Sequence, residues 1–153
     1  MPGTLHHIPI IVQHMDRSLH LFRDVLGFDL IWHLPKVKEP TLATVLCIPD
    51  VELELAYLQG GDNQVAIELV RILGPKNSEP ATIGDGKHGT LSISIKVDDI
   101  DRSYDQLKVE GWEPYTAIMP IRSPDGGSGR IFCFHTEEGV MVEILELATT
   151  ESN

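Results

Sequence analysis

The sequence predicts an α+β protein built from two βαβββ modules. Two observations support this fold class: a segment that occurs twice, and the same order of strand-like and helix-like patterns after each copy. The copies are TLHHIPIIVQHMDRSLHLFRDVLGF at residues 4–28 and GTLSISIKVDDIDRSYDQLKVEGW at residues 89–112. Aligning Val12 with Val97 also aligns the tripeptide Asp-Arg-Ser of each copy, at an offset of 85 residues. Such a repeat indicates one supersecondary unit that is present twice.

The first module begins with an Ile-rich strand over 5–13, in which Pro9 predicts an edge position or a bulge. Apolar residues at helical spacing then predict a helix over 17–26, with Asp16 or Ser18 as its N-cap. Further strands are predicted near residues 28–34, 42–48, 52–58 and 64–72, separated by turns that carry Pro and Gly.

The second module repeats this order. Its helix over 101–110 begins after an N-cap supplied by Asp99 or Asp101. Gly27 and Gly111 directly follow the two helical patterns and are predicted to end them. The strands of this module are predicted near residues 90–97, 113–119, 130–134 and 139–147.

The modules span about residues 5–72 and 89–147, joined by a linker over 73–88 that is rich in Gly, Pro and polar residues. We predict a single domain over 1–153, because this length is ordinary for one compact core. Each module alone leaves one sheet face exposed. Two modules can bury these faces together or curl around a cleft.

Composition limits the possible partners. The net charge of −11 opposes binding to nucleic acids, since no basic face is available for a phosphate backbone. No apolar run is long enough to cross a bilayer, and the N-terminus lacks a secretory pattern. Cys47 and Cys133 lie in apolar strand-like runs and are predicted to be small buried residues, not a disulfide or a nucleophile. We therefore expect a cytoplasmic protein without a membrane partner.

The opening LHHIPIIV…DRSLHLFRDVLGF and the closing FHTEEGVMVEILEL resemble the vicinal oxygen chelate superfamily over about residues 5–147. That superfamily includes glyoxalase I, methylmalonyl-CoA epimerase, extradiol dioxygenases, and antibiotic-binding and fosfomycin resistance proteins. The resemblance implies a curved mixed sheet with a central cleft. It also implies metal ligands on the first and last strands of each module.

Carried onto this chain, the resemblance implies that His7, Glu68 and Glu143 hold one divalent metal ion. His7 directly precedes the IPIIV run, while its neighbour His6 is expected to be solvated or to support it from outside the ligand set. Glu68 and Glu143 each interrupt an apolar strand, where a carboxylate needs a counter-charge, a hydrogen-bond partner or a metal. This donor set suits Zn, Ni, Co, Mn or Fe.

The fourth ligand position holds Ser92, where four-ligand members of the superfamily have His. A neutral hydroxyl is a weak ligand for a divalent transition metal. Three outcomes are open: a metal held by three residues with additional open positions, replacement of the missing imidazole by His88, or a pocket that uses no metal.

The leading function implied by the resemblance is a divalent-metal-dependent lyase or isomerase that transfers a proton through a metal-stabilised enolate of a small oxygenated metabolite. The catalytic residues would be Glu143 and Glu68, with Glu143 favoured as ligand and Glu68 as base. The resemblance also implies a homodimer. The main alternative is a metal-free small-molecule binding protein of the antibiotic-resistance type. A ring-cleaving dioxygenase is disfavoured because Ser92 occupies the position of the second His.

Several other residues are weighed as secondary candidates. Four aromatic residues are candidates to line a binding cleft, although a role in the core is favoured for most of them: Trp32, Tyr57, Trp112 and Tyr115. Four arginines or lysines can meet an anionic substrate or lie solvated at the surface: Arg71, Lys96, Arg122 and Arg130. Four histidines at turn or helix positions are expected at the surface: His14, His20, His33 and His135.

Overall fold

A computed structural model describes residues 6–45, 48–61, 65–74, 91–122 and 128–148. The chain forms two compact units, Met1–Ser78 and Glu79–Asn153, which are described separately below. The single domain over 1–153 stays a prediction, and most of its linker lies outside the described residues. Within the described ranges, no helix has the length and apolar character needed to span a membrane.

The first unit is a four-stranded mixed sheet in the order β1-β4-β3-β2. β1 runs parallel to β4, and the other two pairings are antiparallel. The elements are β1 (His7–Ile11), α1 (Met15–Leu19) with its π-helical continuation (His20–Val25), β2 (Asp29–Val37), α2 (Pro40–Val45), β3 (Glu52–Gln59) and β4 (Ala66–Leu73).

The two faces of this sheet are buried in different ways. Strand side chains alternate between faces, so Ile67 and Leu69 point to one face and Glu68 to the other. Ile67 and Leu69 are buried on the face covered by α1, which lies against β4. On the opposite face, α2 packs against one end through Leu42 and Ala43. They contact a buried cluster made of Val51, Leu53, Leu55 and Val70. The remaining part of that face carries Glu68 and the residues paired with it.

The first helix begins earlier than predicted. Its N-cap is His14, whose side chain makes no capping hydrogen bond, so the predicted caps at Asp16 and Ser18 were wrong. Burial of Met15 and Ser18 explains the earlier start, because both side chains face the sheet from the first turn. Gly27, at φ +76°, follows the last helical residue as predicted and takes a backbone conformation that side chains disfavour.

The strand predicted near 42–48 was also wrong, because Pro40–Val45 is a helix. Proline suits the first helical position, where its missing N–H costs no hydrogen bond. The Glu39 carboxylate accepts the Leu42 N–H at 2.9 Å. Hydrogen bonds from the N–H groups of Thr41 and Leu42 lower the pKa of Glu39. Without this strand the first unit has the predicted βαβββ order.

The second unit repeats this topology, with the strand order β5-β8-β7-β6 and a parallel β5–β8 pair. The strand predicted near 113–119 was misplaced: only Pro114 makes an isolated bridge there, to Phe134. Trp112 is buried, in agreement with a core role. The elements are β5 (Ser92–Lys96), α3 (Ile100–Val109), β6 (Met119–Arg122), β7 (Ser128–His135) and β8 (Met141–Leu147). The prediction of two βαβββ modules is confirmed.

The sheets carry ion pairs of opposite polarity at equivalent positions. In the first unit Glu54 on β3 accepts from Arg71 on β4 at 2.9 Å and contacts His33 at 2.8 Å. In the second unit Arg130 on β7 pairs with Glu146 on β8 at 2.6 Å. Each pair lies three residues beyond the site carboxylate of its own last strand. Arg71 and Arg130 therefore bond to carboxylates of their own unit, and His33 is not a free surface residue.

Arg130 also links its sheet to α3, because its Nη1 donates to Asp101 at 2.7 Å. At the start of the same helix, the Asp99 side chain accepts the Arg102 N–H at 3.0 Å. Of the two predicted N-caps, Asp99 is thus confirmed. Asp101 lies within the first turn of the helix, where its carboxylate accepts the hydrogen bond from Arg130.

The Asp99 cap predicts a measurable loss of stability on truncation. We expect Asp99→Ala to lower the free energy of unfolding by about 1 kcal/mol, because the Arg102 N–H loses its partner. Asp98→Ala is the matched control, an exposed carboxylate one residue earlier that should change stability by less than about 0.5 kcal/mol. Urea unfolding of both variants measures the difference. Equal losses would contradict the capping role.

Candidate functional site

One row of residues crosses all four strands of the first sheet. Pro9 on β1 is paired with Glu68 on β4, Glu68 with Tyr57 on β3, and Tyr57 with Trp32 on β2. Residues that are directly paired share a face, and His7 lies two residues before Pro9 on that same face. This is the face that α2 covers only at its other end.

The structure brings His7 and Glu68 together. The His7 Nε2 lies 3.3 Å from the Glu68 Oε2, and the side chains are 33% and 20% exposed. Two ligands that are each about 2.1 Å from a metal lie about 3 Å apart when they subtend a right angle. The observed distance therefore fits both an ion pair and two neighbouring ligands of one metal ion. The structure thus brings the two predicted ligands of the first module together, and their role as metal ligands stays a prediction.

His6 supports His7 from outside the strand. The two Nδ1 atoms are 2.8 Å apart, and the Tyr57 hydroxyl lies 3.5 Å from the His6 Nδ1. Strand alternation places His6 on the opposite face, but β1 begins at His7, so His6 is free of that constraint. Its exposure and its contact with His7 agree with the expectation of a solvated or supporting residue.

The aromatic part of this face is formed by two of the four residues predicted as candidates to line a binding cleft. Trp32 and Tyr57 stack with their ring centroids 5.3 Å apart and an interplanar angle of 19°. The Tyr57 ring also meets His7 edge-on at 5.7 Å. Trp32 is 36% exposed, so it does not take the core role that was favoured for most of the four aromatic residues. The stack itself depends on the pairing of β2 with β3, which brings Trp32 and Tyr57 into the row of Glu68 and has no local signal in the sequence.

Glu143 holds the equivalent position in the second unit. It is paired with Ser94 on β5, as Glu68 is paired with Pro9 on β1. Ser92, at the position equivalent to His7, is exposed at the start of β5. The Ser94 hydroxyl donates a hydrogen bond to the Glu143 carboxylate. The two carboxylates are thus structural equivalents with different neighbours.

The face around Glu143 also holds a thiol, a phenol and an imidazole. Cys133 is paired with Glu143, and His135 lies two residues further along the same face of β7. The Tyr115 ring stacks on His135 with ring centroids 4.6 Å apart. His135 is only partly exposed and its Nε2 is buried, so its predicted surface location was wrong. The mixed polar character sets this face apart from the first.

Burial explains the electrostatics of this group. Desolvation raises the pKa of the Cys133 thiol and outweighs the hydrogen bond with Tyr115, which lowers it, while the Glu143 charge raises it further. It also raises the pKa of Tyr115, together with its contact with Cys133. Both side chains are therefore held in their neutral forms near pH 7. Cys133 is free and buried, as predicted.

The complete ligand set stays a prediction. Among the described residues, no three His, Cys, Asp or Glu side chains gather closely enough to hold a metal ion. His7 and Glu68 meet within the first unit, and Glu143 belongs to the second. His88, Cys47 and the Arg122 side chain lie outside the part of the chain that the structure describes.

Comparison with known proteins agrees with this architecture. The family model described as Glyoxalase/Bleomycin resistance protein/Dioxygenase superfamily matches residues 4–144. The chain belongs to this superfamily. The predicted vicinal oxygen chelate membership is thereby confirmed, and members commonly use a divalent metal ion.

Individual relatives within the superfamily are distant. A lactoylglutathione lyase of Haemophilus influenzae is 27% identical over 150 residues, which cover 95% of this chain and 94% of that protein. A glyoxalase family protein from Bacillus cereus superposes with a TM-score of 0.79 at 22% identity, covering 93% and 92% of the two chains. A trypanothione-dependent glyoxalase I of Leishmania major superposes with a TM-score of 0.63 at 16% identity, and the match covers 95% of this chain and 87% of that chain. The structural matches establish a shared fold.

The environment of Cys133 predicts low thiol reactivity. In a Cys47→Ser variant Cys133 is the only thiol of the chain. We expect it to react with iodoacetamide at pH 8 about tenfold more slowly than an unfolded cysteine, because burial and a raised pKa both deplete the accessible thiolate. The rate should rise as the pH passes 9. The urea-unfolded protein is the control, and equal folded and unfolded rates would contradict the burial argument.

Proposed function

We propose that the protein is a divalent-metal-dependent lyase or isomerase of the glyoxalase and epimerase type. The observation that carries this proposal is the approach of His7 Nε2 to Glu68 Oε2 at 3.3 Å on a partly open sheet face. Glu143, at the equivalent strand position of the second module, is proposed as the third ligand. Superfamily membership supports the reaction class.

The donor set fits the proposed metal. One imidazole and two carboxylates suit Zn, Ni, Co, Mn or Fe, and they leave coordination positions for a substrate with two adjacent oxygens. When bound, such an ion would act as a Lewis acid on those oxygens and make the neighbouring C–H more acidic.

The chain itself supplies the proton transfer. Glu68 is proposed to remove the acidic C–H proton and to return it, a contribution of about 10²–10⁴-fold for a positioned carboxylate. His7 orients Glu68 from one side, and Tyr57 lies beside it in the row. At Glu143 the Ser94 hydroxyl already bonds to the carboxylate, which favours a fixed ligand role for this residue. The two equivalent glutamates thus take different tasks.

Metal retention tests the ligand assignment. The chelator-treated protein is reloaded with Zn, Ni, Co, Mn or Fe, and affinity is measured by calorimetry with elemental analysis after dialysis. We expect His7→Ala, Glu68→Gln and Glu143→Gln each to weaken binding by at least about tenfold, because each removes a donor. His20→Ala and Glu52→Gln are matched controls in exposed ion pairs with Asp24 and Lys36. A wild-type protein that retains no metal would overturn the proposal.

Proton exchange tests the chemistry. Substrates with an acidic C–H and two oxygens for the metal, namely α-hydroxyketones, hemithioacetals of α-ketoaldehydes and malonyl-type thioesters, are incubated with metal-loaded protein in D₂O and followed by NMR. We expect deuterium to enter at that carbon, and Glu68→Gln to slow the exchange by about 10²-fold or more. Glu52→Gln, another half-exposed strand carboxylate, should exchange at the wild-type rate. Absence of exchange with every substrate would rule out the proposed reaction class.

The exposed stack of Trp32 and Tyr57 favours a second candidate, a metal-free small-molecule binding protein. Stacked aromatic residues bind planar ligands without any metal. The metal experiment separates the candidates, because a binding protein of this type would bind ligand equally well before and after loading with metal.

The proposed cellular setting follows the same reasoning. We expect a cytoplasmic homodimer that acts on a small molecule, without nucleic-acid or membrane partners. The net charge of −11 opposes association with polyanions. Light scattering at two ionic strengths would test the dimer.

A further inference from the structure

Trp32 and Tyr57 form an aromatic platform on the face that carries the site. Their rings are nearly parallel. Trp32 remains 36% exposed, although burial of a tryptophan side chain stabilises a fold more than burial of most other side chains. Leu34, two residues further along β2, is 45% exposed beside them. An apolar surface of this kind gains free energy when a flat apolar group covers it.

The platform begins next to His7 and Glu68 and extends one strand away from them. Tyr57 is the member of the platform next to them, with its ring 5.7 Å from the His7 ring and its backbone paired to Glu68. Neighbouring strands are about 4.8 Å apart, so Trp32 lies about 10 Å from Glu68 along the row. The two rings stand face to face on neighbouring strands, so a ligand ring that lies across their outer edges at Tyr57 would place a directly attached carbonyl group one strand further on, beside His7 and Glu68.

Charge determines which rings can bind there. Among the described strand residues that share this face, Glu68 and Asp29 carry negative charge, and none is Lys or Arg. Lys36 and Arg71 bond to Glu52 and Glu54, which alternate to the opposite face. An anionic group would meet Glu68 without a compensating cation, whereas a neutral aryl group meets only apolar surface.

We propose that the aromatic platform selects substrates in which a neutral aryl group is attached directly to the vicinal oxygen unit. This inference rests on the proposed function, since it assigns the substrate class of the same site. The aryl ring contacts Trp32 and Tyr57, while the two oxygens face His7 and Glu68. Thiol carriers with several carboxylates are disfavoured on this face.

Binding to chelator-treated protein tests the proposal without relying on catalysis. Four probes are compared by Trp fluorescence and calorimetry: 2-hydroxyacetophenone, hydroxyacetone, 4-(hydroxyacetyl)benzoate and S-lactoylglutathione. We expect the neutral aryl ketone to bind about tenfold more tightly than hydroxyacetone, since one contact between aromatic rings is worth about one factor of ten. The benzoate should bind more weakly than the neutral ketone. The chain has only two tryptophans, and Trp112 is buried, so a quenched signal should come from Trp32.

Variants connect the effect to the platform. Trp32→Leu should remove the preference for the aryl ketone and leave hydroxyacetone affinity within about twofold, whereas Trp32→Phe should retain most of the preference because the ring is kept. Val109→Ala, which alters an exposed apolar residue of α3, is the control and should leave both affinities unchanged. Circular dichroism confirms that each variant is folded.

The outcomes separate this inference from the proposed function. Equal affinities for aryl and alkyl ketones, or an unchanged preference in Trp32→Leu, would overturn the platform. Tighter binding of the benzoate or of S-lactoylglutathione would overturn the preference for neutral groups. Loss of metal retention and of proton exchange would overturn the proposed function alone, because the aryl preference is measured on chelator-treated protein.

Discussion

Parallel pairing between the first and last strands of each module is the interaction on which the site depends. It joins β1 to β4 and β5 to β8, segments that are far apart in the chain. The register puts Pro9 beside Glu68 and Ser94 beside Glu143. A shift by one residue would turn each glutamate to the helix-covered face, where it would displace a buried apolar side chain. The buried neighbours Ile67 and Leu69 therefore help to fix the position of Glu68.

The two modules use one framework for different chemistry. In the first, the glutamate faces an imidazole and an aromatic stack; in the second, its equivalent faces a hydroxyl group and a buried thiol. The parallel pairing that holds each glutamate is the same in both modules, so the residues paired with the two glutamates on the first strands, Pro9 and Ser94, differ only in their side chains. Replacement of the imidazole by Ser92 removes a donor from the second module without disturbing its sheet. The two modules thus share the backbone geometry around the equivalent glutamates but differ in the side chains that surround them.

The sequence predicted those parts that local patterns determine. The repeat identified the modules, Asp99 was a recognisable N-cap, and His7 and Glu68 were named before their contact was seen. Non-local features were missed. The 42–48 segment is apolar and short, a pattern that suits a strand or a buried helix equally. Trp32 meets Tyr57 only because β2 is irregular between Leu30 and Trp32, and a bulge of this kind leaves no local signature.

The opposed polarity of the two cross-strand ion pairs bears on how a duplicated chain avoids exchanging its halves. If β3 were to pair with β8 in the native register, Glu54 would face Glu146. In the complementary exchange, Arg130 on β7 would face Arg71 on β4. Both exchanges place like charges opposite each other, which destabilises a strand pair. Each half therefore recognises its own closing strand, although the two closing strands have nearly the same shape.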